Sequence, residues 1–283
     1  MAAAETAVAH PSPAKRPPSR FWARVRYQSL NVYAGLALLY LMVPIAVIIL
    51  FSFNEPSGKF NLTWERFSLF AWRNVFLPPG LKDAVTLSLQ VALVSTLIAT
   101  ILGTMIALAL ARYNFAGRSG VNFIIFLPMA TPEIVMGSSL LTLFLWAQVA
   151  TGFTTIVIAH IMFSISFVVV TVKARLYGFD RRLEEAAMDL YANEFQTFRK
   201  VTLPMIAPGI LAGALLVFAL SIDDFIVTQF NSGVKQTFPI YIYGAQARGI
   251  PVQVNVVASM IFLAAVSLMT ITVLAQMRRP KNA

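Results

Sequence analysis

The chain has 283 residues, 58% of them hydrophobic and 12% charged, and a mean hydropathy of +0.73. Water-soluble domains carry about twice that charged fraction, so a globule dissolved in water is excluded and lipid is the solvent. With no Cys, a disulfide framework and a thiolate metal site are also excluded, while a formal net charge of +10 leaves nucleic acid to be weighed.

Residues 1–30 are rich in Ala and Pro and carry Lys15, Arg16, Arg20, Arg24 and Arg26. That composition cannot bury a core and reads as a disordered cytoplasmic tail. Six apolar segments follow, at 31–53, 84–111, 119–147, 153–175, 206–230 and 254–277. Each reaches the ~20 residues that a helix needs to cross a bilayer. They define an all-α transmembrane domain over 31–278, because in lipid a spanning helix satisfies its own backbone polar groups. The first segment is longer than a signal core, and the FSFNEP that follows offers no small-residue cleavage site, so it is expected to be retained as a span.

The placement of Lys and Arg sets the orientation. With the N-terminus inside, sixteen basic residues fall in inner segments and six fall outside, namely Lys59, Arg66, Arg73, Lys82, Lys235 and Arg248. Both termini are therefore expected in the cytoplasm. Topology and attraction to anionic lipid heads account for the basic balance, leaving little excess for nucleic acid. In the first outer loop, Phe67, Phe70, Trp72 and Phe76 mark an aromatic anchor or a short interfacial helix. His10 and His160 lie too far apart for a local metal motif, so no metal site is expected and His160 is read as a satisfied histidine. A GxxxxGK[ST] loop does not occur, so the chain should not bind ATP by that route.

The inner connection at 176–205 is the most informative stretch. Asp180 is placed to cap a helix running from Arg181 to Leu190, and Asn193 with Gln196 forms a capping box for a second short helix that must stop or bend at Pro204. Glu185, Ala186 and Ala187, then position 191, then Val201, Leu203 and Pro204, are spaced as in the EAA-xxx-G-xxxxxxxxx-I-x-LP signature. The chain thereby resembles the permease subunits of binding-protein-dependent ATP-binding-cassette importers. Tyr191 stands where that family has Gly, and Val201 where it usually has Ile. Tyr cannot take a left-handed backbone at the low cost of Gly, so the tightness of the turn is in question.

The resemblance covers roughly residues 30–278. TPEIVMGSSLLTLF, HIMFSISFVVVTVKARLYGFD and LSIDDFIVTQFNSG are similar to stretches of the spermidine/putrescine permeases. Permeases for ferric iron, thiamine, sulfate and molybdate share the architecture and remain alternatives, as does an ion-coupled secondary transporter. The resemblance implies a type I importer permease fold in a bacterial inner membrane and no enzymatic activity in this chain. It further implies a second permease subunit, two ATPase subunits holding ATP and Mg, and an extracellular or periplasmic substrate-binding protein. The loop would then seat in a groove of the ATPase. Small Ala186 and Ala187 allow close approach, Glu185 offers an acceptor, and Phe195 and Phe198 can fill an apolar groove. Glu184 and Asp189 are expected to be solvated.

Glu133, Asp223 and Asp224 lie deep in apolar segments, where an ionisable group is costly unless it faces water or a partner. At ~1.5 Å per residue, Glu133 and Asp223 should sit at about the same depth. On a continuous helix Asp224 shares a stripe with Ser221, Thr228 and Asn231, whereas Asp223 lies among Ala219, Leu220, Val227 and Phe230. Asp224 is thus expected to face the pathway, with Phe225 and Trp146 supplying aromatic faces for ammonium groups. The competing expectation is that the acids cap helix ends or pair with Arg248.

Overall fold

The computed structural model describes residues 20–277, and among them the fold is helical, with one isolated β-bridge between Asn54 and Phe67. Helix α1 (Arg20–Phe51) begins inside the expected tail, whose residues 1–19 lie outside the described residues. Then come α2 (Phe70–Arg73), α3 (Leu81–Arg112), α4 (Arg118–Ala130), α5 (Glu133–Trp146), α6 (Phe153–Tyr177), α7 (Arg182–Asp189) and α8 (Glu194–Thr197). A π-helical stretch, Phe198–Thr202, leads into α9 (Leu203–Asp223), followed by α10 (Ile226–Asn231), α11 (Phe238–Gln246) and α12 (Val252–Met277).

Among the described residues, four continuous helices are long and apolar enough to cross a membrane: Gln28–Phe51, Leu81–Arg112, Phe153–Tyr177 and Glu194–Asp223. The third apolar segment is not the single kinked span expected. It is the pair α4 and α5, bent by 106°. Pro132 forces Thr131 into an extended conformation (φ −79°, ψ 132°), which ends α4 and restarts the helix at Glu133. The fifth segment also departs from its expected limits of 206–230. It starts at Glu194, because the π-helical stretch carries the chain past Pro204, and it stops at Asp223, where Asp224 turns extended (φ −61°, ψ 123°).

The described residues divide into two units. In the unit of residues 20–52 and 258–277, the apolar window of α1 has none of its residues buried, as suits a helix dissolved in lipid. Residues 53–257 form the other unit, built on α3, α6 and α9. Ala107, Leu110, Val168, Val172 and Val217 are buried where these three meet. A Cβ at Gly103 would stand 2.7 Å from the Val168 side chain, so only Gly lets α3 approach α6 this closely.

Within this unit the connections expected on the inner side gather at one end. Arg181 Nη2 donates to the Ala111 carbonyl (2.7 Å), Arg175 Nε to the Met205 carbonyl (3.2 Å), and Lys173 Nζ to Asn122 Oδ1 (2.6 Å). The basic residues assigned to the inner side thus draw together the ends of α3, α4, α6 and α9. In the loop expected to be the first outer one, the aromatic segment holds one helical turn, α2. Phe53 stacks on Phe67 (5.7 Å) and Trp72 (5.2 Å), and Asn54 Nδ2 donates to Asn61 Oδ1 (2.6 Å) and the Thr63 carbonyl (2.7 Å).

Candidate functional site

The two helix breaks meet. Helix α5 packs on α10, where a Cβ at Gly137 would lie 2.8 Å from the Phe230 ring, and Asn231 Nδ2 bridges the Gly137 carbonyl (3.3 Å) and the Val227 carbonyl (2.9 Å). Between the breaks and α6 lies a cavity of about 380 Å³ whose walls include Glu133, Asp223, Asp224, Phe163, Phe167 and Phe225. Among the described residues no Lys or Arg lines it. Interrupted backbone inside a membrane is tolerated where it lines such a cavity. Glu133 and Asp223, expected at one depth, do share one site, and both are exposed.

The two aspartates meet the cavity differently. Asp224 is turned inward, its side chain 8% exposed. Its Oδ2 accepts from the Thr228 N–H (2.8 Å) and hydroxyl (2.6 Å), capping the first turn of α10, and lies 3.4 Å from His160 Nε2. His160 is fully engaged, with Nδ1 at 2.6 Å from Ser221 Oγ and Nε2 at 2.9 Å from Thr228 Oγ1. Ser221 Oγ continues the network to Ser95 Oγ of α3 at 3.2 Å. The stripe of Ser221, Asp224 and Thr228 is real, and it meets α6, where His160 supplies the polar partner. Asp223 is the exposed one. Asp224, expected to face the pathway, stands in the cavity wall with its carboxylate engaged by Thr228 and His160.

Phe225 lines the cavity and packs on Tyr243 with ring centroids 4.8 Å apart. Trp146 does not reach it: at the far end of α5 it is 84% exposed and absent from the lining. Phe163 and Phe167 of α6 take that place. They are four residues apart on one helix face, a signal readable as an aromatic stripe but indistinguishable in sequence from core packing. Among the described residues no ion pair joins Arg248 to the three acids, and no group of His, Asp and Glu is arranged to hold a metal ion.

The inner loop has the expected caps. Asp180 Oδ1 accepts the Arg182 N–H (3.0 Å), and Asn193 and Gln196 form the reciprocal capping box. Helix α7 ends in a Schellman arrangement, with Tyr191 N–H donating to the Met188 carbonyl (2.9 Å) and Ala192 N–H to the Ala187 carbonyl (3.1 Å). This geometry requires a left-handed residue, and Tyr191 supplies it at φ 62°. The tight turn thus survives without Gly. Tyr191→Gly is expected to preserve assembly and to raise stability by at most about 1 kcal/mol, since relief of the left-handed backbone is offset by the entropy of Gly. Tyr191→Val should lower the melting temperature of the purified protein, because a β-branched residue tolerates this backbone least.

Glu185 and Ala186 are exposed, and the loop presents Tyr191 at 98% and Phe195 at 69% exposure. Ala187, Phe198 and Val201 are half-buried, while Leu203 and Pro204 are exposed at the start of α9. Glu184 is not solvated as expected. Its side chain, 15% exposed, pairs with Arg112 and accepts from Thr202.

Comparison with known proteins matches these features. The sequence profile of the family described as binding-protein-dependent transport system inner membrane component covers residues 99–279. The chain is 36% identical over 265 residues to the spermidine/putrescine transport system permease protein PotC of Haemophilus influenzae, spanning 93% of this chain and 99% of that one. It is 39% identical to the Escherichia coli K12 PotC over 79% of this chain and 84% of the other. The putrescine transport system permease protein PotI of Escherichia coli K12 is 36% identical over 80% and 83%. In fold it is similar to a chain of a bacterial ABC transporter that imports the acidic polysaccharide alginate, with TM-score 0.62 and 18% identity over 95% of this chain and 100% of that chain. Apolar spans, an EAA-type loop and a chain-long likeness to permeases have one meaning: the protein is a multi-pass inner-membrane permease and belongs to the family of binding-protein-dependent transport system inner membrane components.

Proposed function

We propose that this chain forms half of the translocation pathway of an ATP-driven importer for a polyamine, with both its termini in the cytoplasm. The observation that carries the substrate class is the cavity, where exposed Glu133 and Asp223 stand among Phe163, Phe167 and Phe225 with no Lys or Arg in the lining. Carboxylates in a membrane need a compensating charge, and a flexible chain of ammonium groups provides one at each acid while its methylenes and cations meet aromatic faces. Relatives at 36–39% identity named for spermidine and putrescine transport support the same substrate class.

The remaining machinery is assigned to other chains. A second permease completes the pathway, a substrate-binding protein delivers the polyamine from outside, and two cytosolic ATPase subunits hold ATP and Mg. The loop at 176–205 is the docking element for one ATPase. Its exposed Leu190, Tyr191 and Phe195 are apolar groups of the kind that fill a partner's groove, with Glu185 beside them as an acceptor.

The test is uptake of labelled spermidine and putrescine, with ferric iron, thiamine, sulfate and molybdate as competitors, in a deletion strain complemented with this chain and its partners. Polyamine uptake that only polyamines compete is the expected result. Uptake of an oxyanion in preference would overturn the substrate class, and stoichiometric ATP binding by the isolated chain would overturn the division of labour.

A further inference from the structure

Helix α7 has no buried residue, yet it must transmit force if the loop couples an ATPase to the spans. Its polar ties to the rest of the fold converge on one place. Glu184 Oε1 accepts from both Arg112 Nη2, at the last residue of α3, and Thr202 Oγ1, in the π-helical stretch that opens α9. Arg112 Nη2 also lies 3.1 Å from Thr202 Oγ1, closing a triangle of three elements. Beside it, Arg181 Nη2 holds the Ala111 carbonyl at 2.7 Å. Thr202 is fully buried, and the side chains of Arg112 and Glu184 are 33% and 15% exposed.

We propose that Glu184 is a positioning residue for transport: with Arg112 and Thr202 it latches α7 to α3 and α9, so that displacement of the loop moves α9, which carries the cavity acid Asp223. The proposal rests on the importer reading above and extends it from the docking surface to the link behind that surface. A charge-assisted, shielded contact is short and directional, which makes it a stiff connection where an exposed ion pair would yield. The π-helical stretch supplies the compliance next to it, because its backbone bonds run from i to i+5, as in the Leu203 N–H to Phe198 carbonyl bond, and can revert to the α register. Helix α9 then runs from the latch at Thr202 to the cavity acid at Asp223.

The experiment uses the complete complex in proteoliposomes and measures spermidine taken up per ATP hydrolysed. Glu184→Gln keeps size and the contact to Thr202 but removes the charge, and Arg112→Gln removes the other partner. Each should lower the transport-to-hydrolysis ratio at least fivefold, and the double variant Glu184→Arg with Arg112→Glu should recover a substantial part of it. An unaltered ratio in Glu184→Gln overturns the latch. Equal losses of uptake and hydrolysis that the exchanged pair does not restore also overturn it, since they report a folding defect. An unaltered complex that hydrolyses ATP yet moves no polyamine would instead overturn the substrate reading.

Discussion

Asp223→Asn is expected to lower the initial rate of labelled spermidine uptake at least tenfold per assembled complex, equivalent to about 1.4 kcal/mol lost on the transport path. The substitution keeps the size of the side chain and deletes one of the two exposed negative charges of the cavity. Glu133→Gln should act in the same direction, because it faces the same space from the opposite helix break. Asp224→Asn should behave differently. Its amide oxygen can still accept from the Thr228 N–H and hydroxyl, but the charge beside His160 is gone, so the expected effect is a loss of about 1–2 kcal/mol in stability. Thermal melting of the purified variant measures this, and uptake corrected for the amount of folded complex should fall less than for Asp223→Asn. Normal melting of Asp224→Asn with uptake abolished would return Asp224 to the pathway.

Glu185→Ala is expected to reduce recovery of the ATPase with the purified membrane complex at least tenfold without reducing the amount of permease inserted. Glu185 is exposed on α7 next to Ala186, with the apolar Tyr191 and Phe195 nearby in the loop, so its carboxylate is free to meet a basic group of a partner. A contact of that kind becomes desolvated only on docking, and its loss raises the dissociation rate more than it changes encounter. Co-purification and ATPase activity measure the outcome. Normal association of the Glu185→Ala chain would make the loop a passive connector. Because Glu184 faces the spans and Glu185 faces outward, the two neighbouring carboxylates separate the effects of a lost link from those of a lost partner.

Elements governed by neighbours along the chain were legible in advance. The caps at Asp180 and Asn193 depend on residues two to three positions away, and both are present where the residue order places them. The apolar segments follow from length and hydropathy. The left-handed turn was legible as a requirement of the motif, though not that Tyr191 would bear it, since the cost to Tyr is about 1–2 kcal/mol and a surrounding arrangement can impose it.

By itself, then, the sequence determined that lipid is the solvent, that the fold is a set of apolar helices and that the inner loop has the signature of an importer permease. Only the tertiary structure decided which cavity acid is exposed and which has its carboxylate engaged within the fold. The partners that settle this are remote: His160 lies 68 residues from Thr228, and Arg112 lies 72 from Glu184. A helical wheel gives the direction of a side chain only while the backbone stays helical, and the chain breaks beside Glu133 and at Asp224. At such a break the orientation passes from local periodicity to whichever buried polar group lies opposite, and that group is placed by the packing of another helix.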